Sequence, residues 1–474
     1  MTPISRTPAR AALAAATLAL AGCASFTPDG GFAEVERLTR ERTGQTPRLQ
    51  RGAEPDAATR ARLDALLAQP LSADAAVELA LLNNRALQAQ FAGLGIAEAD
   101  RVQAGRLPNP TLRFGRLAGG GVTEIDRAVL VDVLGLLALP AASAAGQRGF
   151  EQAQWRAADD AVNLAAQARQ AFFRAVAAQQ LAVYAADVKD AADASSELAR
   201  RMRAAGNFSR LAQMREQAFE ADANAQLARA RHQAVAERER LTRLLGLGGA
   251  AGPAFTLPDR LPDLPAQPIE PRDAEQTALD QRLDVQLAKR AAESTAASLG
   301  LTRATRFVNV LDAGWQNQST SGEPRRSGYE IELVLPLFDF GQTRVKRAEA
   351  VYLQAMHRAA QVATDARSEV RESYSAYRTA YELARHYRDE VVPLRQRLFD
   401  ENLLRYNGML VSVFELLADA REQVGGVTAA VQALRDHWIA ETQLRSALTG
   451  RSPAGAPFAD SAAPAAPAAP AASH

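Results

Sequence analysis

Two very long stretches of this chain contain almost nothing that stops a helix. From Ala141 to Gly246 the residues are nearly all helix formers, interrupted once at Gly206-Asn207-Phe208-Ser209. From Gly341 to Gly450 the same holds, with an interruption at Asn407-Gly408. Gly341 to Tyr406 alone would rise about 100 Å if continuous, although Pro393 should kink or break it. Val413, Leu417, Ala420, Val424, Val427, Val431, Leu434 and Trp438 step alternately by four and three, the a/d seam of a coiled coil. Val370, Tyr374, Tyr377, Tyr381 and Ala384 continue that pattern on a partner helix. In the first half the corresponding seam is expected at Met214, Ala218, Ala221, Ala225 and Ala228, mostly alanine, which permits close approach. Each seam covers only a stripe, so an antiparallel pair would still need neighbours.

The remaining elements occur in the same order before each long stretch. Ser72 is a good N-cap for a helix running to Arg106, which Leu107-Pro108-Asn109-Pro110 ends. Strands are predicted at Thr111 to Leu117 and Ile125 to Leu134, around Gly119-Gly120-Gly121. A second pair is predicted at Arg306 to Gln316 and Ser327 to Leu335, with its turn through Ser321-Gly322-Glu323-Pro324. Gly206 and Gly408 are 202 residues apart, and Leu241 to Leu245 and Leu444 to Leu448 are 203 apart. The fold class read from this is mainly α with a small β part: a two-fold internal repeat of strand pair plus long coiled-coil hairpin. Tyr329, Ile331, Leu333 and Leu335 alternate with Glu330, Glu332 and Val334. Such a strand fits either a wall between lipid and a wet lumen or a half-exposed soluble sheet, and taken alone the second is the commoner case. Four strands are too few to close a membrane barrel, which needs about eight. If they span a membrane, copies of the chain must pool them, and three copies give twelve.

The ends and the middle differ in composition. Arg6 and Arg10 followed by Ala11 to Leu20 read as a signal peptide, too short to span a bilayer. It closes on Leu20-Ala21-Gly22-Cys23, the only cysteine. Small residues before that cysteine resemble a lipoprotein box, which would make Cys23 the acylated N-terminus, with Ala24 after it rather than an inner-membrane-retaining Asp. No later run is long and apolar enough for a transmembrane helix. Prolines 253, 258, 262, 265, 268 and 271 mark an extended connector, and the Ala/Pro-rich end reads as disordered. The expected divisions are 1–22 signal, 23–71 lipid-anchored segment with one short helix at Pro55 to Ala68, 72–246 first repeat, 247–271 connector, 272–450 second repeat and 451–474 tail. With 55 basic and 54 acidic residues there is no surplus of charge to bind nucleic acid. One cysteine and five histidines without ligand spacing offer no metal site, and no nucleophile or paired-acid constellation stands out. The chain is therefore read as a non-enzyme, with no cofactor beyond the covalent lipid on Cys23.

Four short motifs then carry a family resemblance. They are Ala80-Leu81-Leu82-Asn83-Asn84-Arg85-Ala86-Leu87, Ala104-Gly105-Arg106-Leu107-Pro108-Asn109-Pro110, Leu335-Pro336-Leu337-Phe338-Asp339-Phe340-Gly341, and Tyr406-Asn407-Gly408 with Val413-Phe414-Glu415-Leu416-Leu417. Across roughly residues 72 to 450 the chain resembles the TolC-like outer-membrane efflux family, in particular its lipidated branch. The resemblance implies a homotrimer whose twelve-stranded barrel sits in the outer membrane and continues as an α-helical tunnel through the periplasm. It also implies docking of the hairpin tips, at Gly206, Asn207 and Gly408, with a periplasmic adaptor and an inner-membrane pump. Pro336, Asp339 and Gly341 would form the strand-to-helix turn; the first-half turn, read at Pro140-Ala141-Ala142-Ser143-Ala144, lacks that motif. Acids past the second tip form rings that narrow the entrance in this family. Here Glu415 and Asp419 are the candidates, although Glu415 fits only with a one-residue insertion near Val411, and Asp419 falls one step late, after Ala418. The alternative for each is a solvated charge on a helix.

The implied function is a passive exit duct for small toxic compounds, drugs or metal ions, driven by an inner-membrane pump. The alternatives are a periplasmic coiled-coil scaffold lipoprotein without a pore, and a type I secretion duct for polypeptides.

Overall fold

The computed structural model describes residues 25–52, 54–248, 255–307, 311–333 and 337–451, without the side chain of Phe414. The expected signal peptide, Cys23, Pro336 and the tail beyond Arg451 lie outside the described residues. The elements are α1 (Phe32–Thr43), α2 (Ala57–Leu67), α3 (Ala73–Asn83), α4 (Arg85–Ala104), β1 (Thr111–Gly119), β2 (Val122–Asp132), α5 (Val133–Ala204) and α6 (Arg210–Leu244). There follow α7 (Ala274–Gln281), α8 (Leu283–Ala304), β3 (Leu311–Thr320), β4 (Arg326–Leu333), α9 (Gln342–His386), α10 (Val392–Asn407) and α11 (Val413–Thr449). The chain is mostly helical with one small antiparallel sheet. No helix among the described residues is long and apolar enough to cross a membrane.

The chain divides into two compact units. One comprises the described residues up to Val35 with Gln90–Ala158 and Asp284–Ala363, and holds the whole sheet. Its strands lie in the order β1-β2-β3-β4, every neighbour antiparallel. The β1–β2 hairpin turns on Gly120 and Gly121, with φ of 57° and 83°, between the paired Gly119 and Val122. Two central residues at positive φ match the twist of the flanking strands, and glycine adopts them without a Cβ penalty. β2 pairs with β3 from Glu124↔Thr320 to Asp132↔Asp312, joining hairpins that are far apart in sequence.

The other unit comprises Glu36–Ala89, Asp159–Leu283 and Thr364 onward. Leu79, Ala80 and Leu82 of α3 pack with Phe172, Phe173 and Val176 of α5, and with Leu241 and Leu245. Phe173 stacks on Trp438 at 5.3 Å. The proline-rich connector is extended as expected, but it is no exposed tether. Phe255, Leu257, Leu261 and Leu264 are buried. Tyr381 Oη donates to the carbonyls of Pro265 and Ala266, and Trp438 Nε1 donates to that of Pro262. Backbone groups that proline removes from any ladder are thus taken up by side chains.

Several expectations need correction. The helix expected from Ser72 to Arg106 is two helices, because Asn84 turns its side chain to cap α4, accepting from Leu87 N at 3.0 Å, and donates to the Leu244 carbonyl. Helix α1 was not expected at all. Arg306 and Phe307 are turn rather than strand, and β3 instead runs on to Thr320. β2 ends at Asp132, where the helix begins, so Pro140 lies inside α5 rather than at the strand-to-helix turn. Pro393 does not break its helix. A π-helical turn, Tyr387–Val391, precedes it, with Val392 N bonded to Tyr387 O. The wider turn relieves the clash a proline ring makes with the carbonyl four residues back. Finally, the alanine seam of α6 is out of phase: Met214, Ala218, Ala221, Ala225 and Ala228 are exposed, while Glu216, Ala223 and Leu227 are buried. Equal alanine content on several faces had left the phase unmarked.

Candidate functional site

The sheet has two chemically different faces. Leu112, Val129, Trp315 and Tyr329 stand side by side in one row across all four strands. Ile331 and Leu333 continue that face on β4, and Phe114 on β1. All seven are exposed, Tyr329 by 81%. Towards the hairpin turns the same face becomes polar at Arg116, Arg127 and Asn317. The opposite face lines a concavity of about 440 Å³ with Arg113, Asp126, Gln316, Gln318, Arg326 and Glu330. Arg113 of β1 reaches Glu330 of β4 at 3.1 Å, although β2 and β3 lie between. Flat, those strands would be about 14 Å apart. The two long side chains bridge most of that span across the concave polar face. Among the described residues, strands β1 and β4 each have one edge without a strand partner.

At the base of β4, Asp339 accepts from Gly341 N at 2.8 Å. Gly341 has φ 72°, and a Cβ there would stand 2.4 Å from the Arg306 carbonyl oxygen. Both conditions demand glycine. The first-half counterpart is Asp132, which accepts from Gly135 N at 2.7 Å. Searching for the motif after Pro140 missed it.

The two hairpin tips are built alike. After α5, Asn207 N donates to Met202 O and Gly206 N to Arg203 O, with Gly206 at φ 80°. This pair of bonds satisfies the last carbonyls of a helix when the residue between is left-handed. After α10, Leu410 N donates to Arg405 O and Met409 N to Tyr406 O, with Met409 at φ 60°. The equivalent of Gly206 is thus Met409 and not Gly408, whose φ is −79°. Ser209 and Ser412 then cap α6 and α11. The spacing between tips is 203 throughout, equal to that of the distal helices. Met409 and Leu410 are exposed by 93% and 78%.

The expected acids occupy different settings. Glu415 is exposed in the first turn of α11, its backbone N–H donating to Ser412 Oγ. Asp419 is half-buried and accepts from Asn402 on α10. Sequence reading missed the most firmly held acid near the tips, Glu216. Its side chain is 3% exposed, and it accepts from Ser195 Oγ at 2.7 Å and from Arg421 at 2.6 and 2.7 Å. The Arg421 guanidinium lies 4.4 Å over the Phe219 ring. A spacing of 203 maps Asp419 onto Glu216, so the correct offset would have found it. Among the described residues no group of three or more His, Cys, Asp or Glu is placed to hold a metal ion.

No protein-family model matches the chain. It is 26% identical over 280 residues to the cobalt-zinc-cadmium resistance protein CzcC of Cupriavidus metallidurans, covering 58% of this chain and 65% of CzcC. The solved structure of CusC matches 80% of this chain and 92% of its own, with TM-score 0.67 and 17% identity. The outer-membrane channel OprN matches 87% and 95%, with TM-score 0.67 and 21% identity. VceC of Vibrio cholerae, an outer membrane protein, matches 80% and 96%, with TM-score 0.66 and 16% identity. The TolC-like resemblance read from the sequence is borne out as fold.

Proposed function

We propose that this chain, having the fold of the outer-membrane efflux channels, is the passive exit duct of a tripartite efflux system in the outer membrane. Three copies pool their strands into a twelve-stranded barrel, and their hairpins form a tunnel through the periplasm. The observation that carries this reading is the sheet, exposed and apolar on one face, polar and concave on the other, with two edges that no strand covers among the described residues. Its apolar rows, from Leu311 and Leu333 to Phe114, extend about 20 Å along the strands, against about 25 Å for the lipid-facing band of membrane barrels. A scaffold without a pore has no use for such a sheet.

The common offset of 203 at both tips supports descent of the two hairpins from one repeated unit. The lipid on Cys23 anchors the chain, the tips with Met409 and Leu410 meet a periplasmic adaptor, and an inner-membrane pump supplies the energy. The duct itself performs no chemistry and needs no cofactor. The resemblance to CzcC supports divalent metal cations as cargo ahead of drugs. In a three-fold assembly Glu415 repeats as a ring of three carboxylates that attracts cations.

The test is conductance of the lipidated chain in a planar bilayer, beside Glu415→Ala and Asp419→Ala. The expected result is a small cation-selective conductance whose selectivity falls in the Glu415 variant. Pores unaltered by either substitution would move the constriction elsewhere. Folded, inserted protein that never conducts, as wild type or as either variant, would return the case to the scaffold.

A further inference from the structure

Charge is sorted by sign between the two faces of the sheet. Strand alternation and the pairing registers place Glu124, Asp126, Asp132, Asp312, Glu330 and Glu332, every acid of the four strands, on the concave polar face, together with Arg113 and Arg326. The apolar face carries two charged side chains of the strands, Arg116 of β1 and Arg127 of β2, and no acid. Arg116 stands opposite Ile125 and so diagonal to Arg127, about 7–8 Å away. Arg127 donates to the neutral Asn317 amide oxygen at 3.2 Å, and among the described residues neither guanidinium has an acidic partner. The pair also sits at a defined depth. From Leu311 and Leu333 this face passes through Ile331 to the row of Trp315 and Tyr329, and then to Arg127 beside Phe114. At about 7 Å per row, Arg127 lies about 20 Å and Arg116 about 27 Å from Leu333, at the boundary of a lipid-facing band about 25 Å tall. Aromatic rings followed by arginine at the end of an apolar band suit a headgroup layer. That end of the sheet is the hairpin end; at their other ends the strands lead to or from α4, α5, α8 and α9.

We propose that Arg116 and Arg127 clamp the phosphate of an outer-leaflet lipid whose acyl chains lie along Phe114, Leu112 and Val129. The proposal rests on the barrel reading above, in which the helices occupy the periplasm and the hairpin ends therefore reach the outer leaflet. That leaflet of an outer membrane is built of phosphorylated glycolipid, so the occupant is a molecule of the lipid A type rather than a phospholipid. Guanidinium groups take phosphate through paired, charge-assisted hydrogen bonds. One phosphate between the two arginines supplies the counter-charge that this face of the sheet lacks. Arg325, one residue before β4, follows the same alternation but stands three strands from Arg116, about 14 Å away, too far to share that phosphate.

The test uses full-length lipidated protein in detergent, incubated with purified lipid A or with phosphatidylglycerol, and counts the lipids retained per trimer by native mass spectrometry. The wild type should retain lipid A in preference to phosphatidylglycerol. Arg116→Gln and Arg127→Gln should each bind lipid A about tenfold more weakly, as the loss of a charge-assisted bond predicts. Arg325→Gln should retain it as the wild type does, and light scattering and melting check that every variant is a folded trimer. A folded, conducting trimer that retains no lipid A, or whose Arg116 and Arg127 variants retain as much as the wild type, would overturn the inference alone. An equal loss in Arg325→Gln would do the same, since it would mean diffuse attraction rather than a clamp. Equal retention of phosphatidylglycerol would overturn the choice of occupant. A monomer by light scattering, or folded protein that never inserts into a bilayer, would overturn the barrel reading together with the inference.

Discussion

His437 is fully buried, and among the described residues neither ring nitrogen has a hydrogen-bond partner. Tyr377, Tyr381 and Trp438 surround it with ring centroids at 5.5, 5.6 and 5.1 Å, and Glu441 stands 3.9 Å from Nε2, too far to bond. Burial pushes its pKa from 6.5 down to about 4. The unfolded chain therefore binds this proton first, and the stability gained by burying neutral imidazole declines as pH falls from 6.5 to about 4. His437→Phe should keep the packing, raise stability at neutral pH by about 1–3 kcal/mol by removing two unsatisfied nitrogens, and flatten that pH dependence. Melting in detergent at pH 7, 5.5 and 4 checks both. Backbone conformation makes a second residue-level contrast. Gly341→Ala should cost about 2 kcal/mol or more, from its positive φ and the Arg306 backbone beside it. Gly408→Ala, at negative φ and with its new Cβ meeting nothing closer than 3.5 Å, should be neutral or stabilising, and Met409→Gly should gain about 1 kcal/mol. Equal losses at Gly341 and Gly408 would contradict the assigned turn positions.

Between elements, the contact that most clearly joins the first hairpin to the second is Glu216 of α6 with Arg421 of α11. Removing one member of a buried ion pair leaves the other charge without its counter-ion, which costs about 3–5 kcal/mol. Arg421→Ala, which strands the buried Glu216 carboxylate, should destabilise by an amount in that range; Glu216→Ala, which leaves a guanidinium one-third exposed to solvent, should cost less, and the double variant less than the sum. A double-mutant cycle showing additivity would mean the contact has no energetic weight. The helical seams show how element-level reading succeeds and fails. Val431 of α11, and Val370, Tyr377, Tyr381 and Ala384 of α9, are buried as their spacing predicts, because large and small side chains mark one face. On α6 alanine marks no face, and only neighbouring helices decide which side turns inward.

For the whole molecule, the sheet matters most. Its strands were legible as two hairpins, since glycine turns and alternation are local signals. That β2 would pair with β3, leaving β1 and β4 as the outer strands of the described sheet, was not, because pairing between distant hairpins leaves no local trace. The same pairing turns one face of all four strands apolar and exposes it, which gives the barrel reading its physical basis. The predicted conductance belongs to this scale.

By itself the sequence determined the long helices, their interruptions at the two tips, the strand pairs and the resemblance to outer-membrane channels. These follow from breakers, caps, periodicity and short motifs, all of which act within a few residues. Only the tertiary structure decided that Met409 takes the left-handed position, that Asp132 answers Asp339, that Glu216 is the anchored acid, and that Arg113 faces Glu330. Each of those depends on which backbone or side chain arrives from far along the chain, and such encounters are set by packing rather than by spacing.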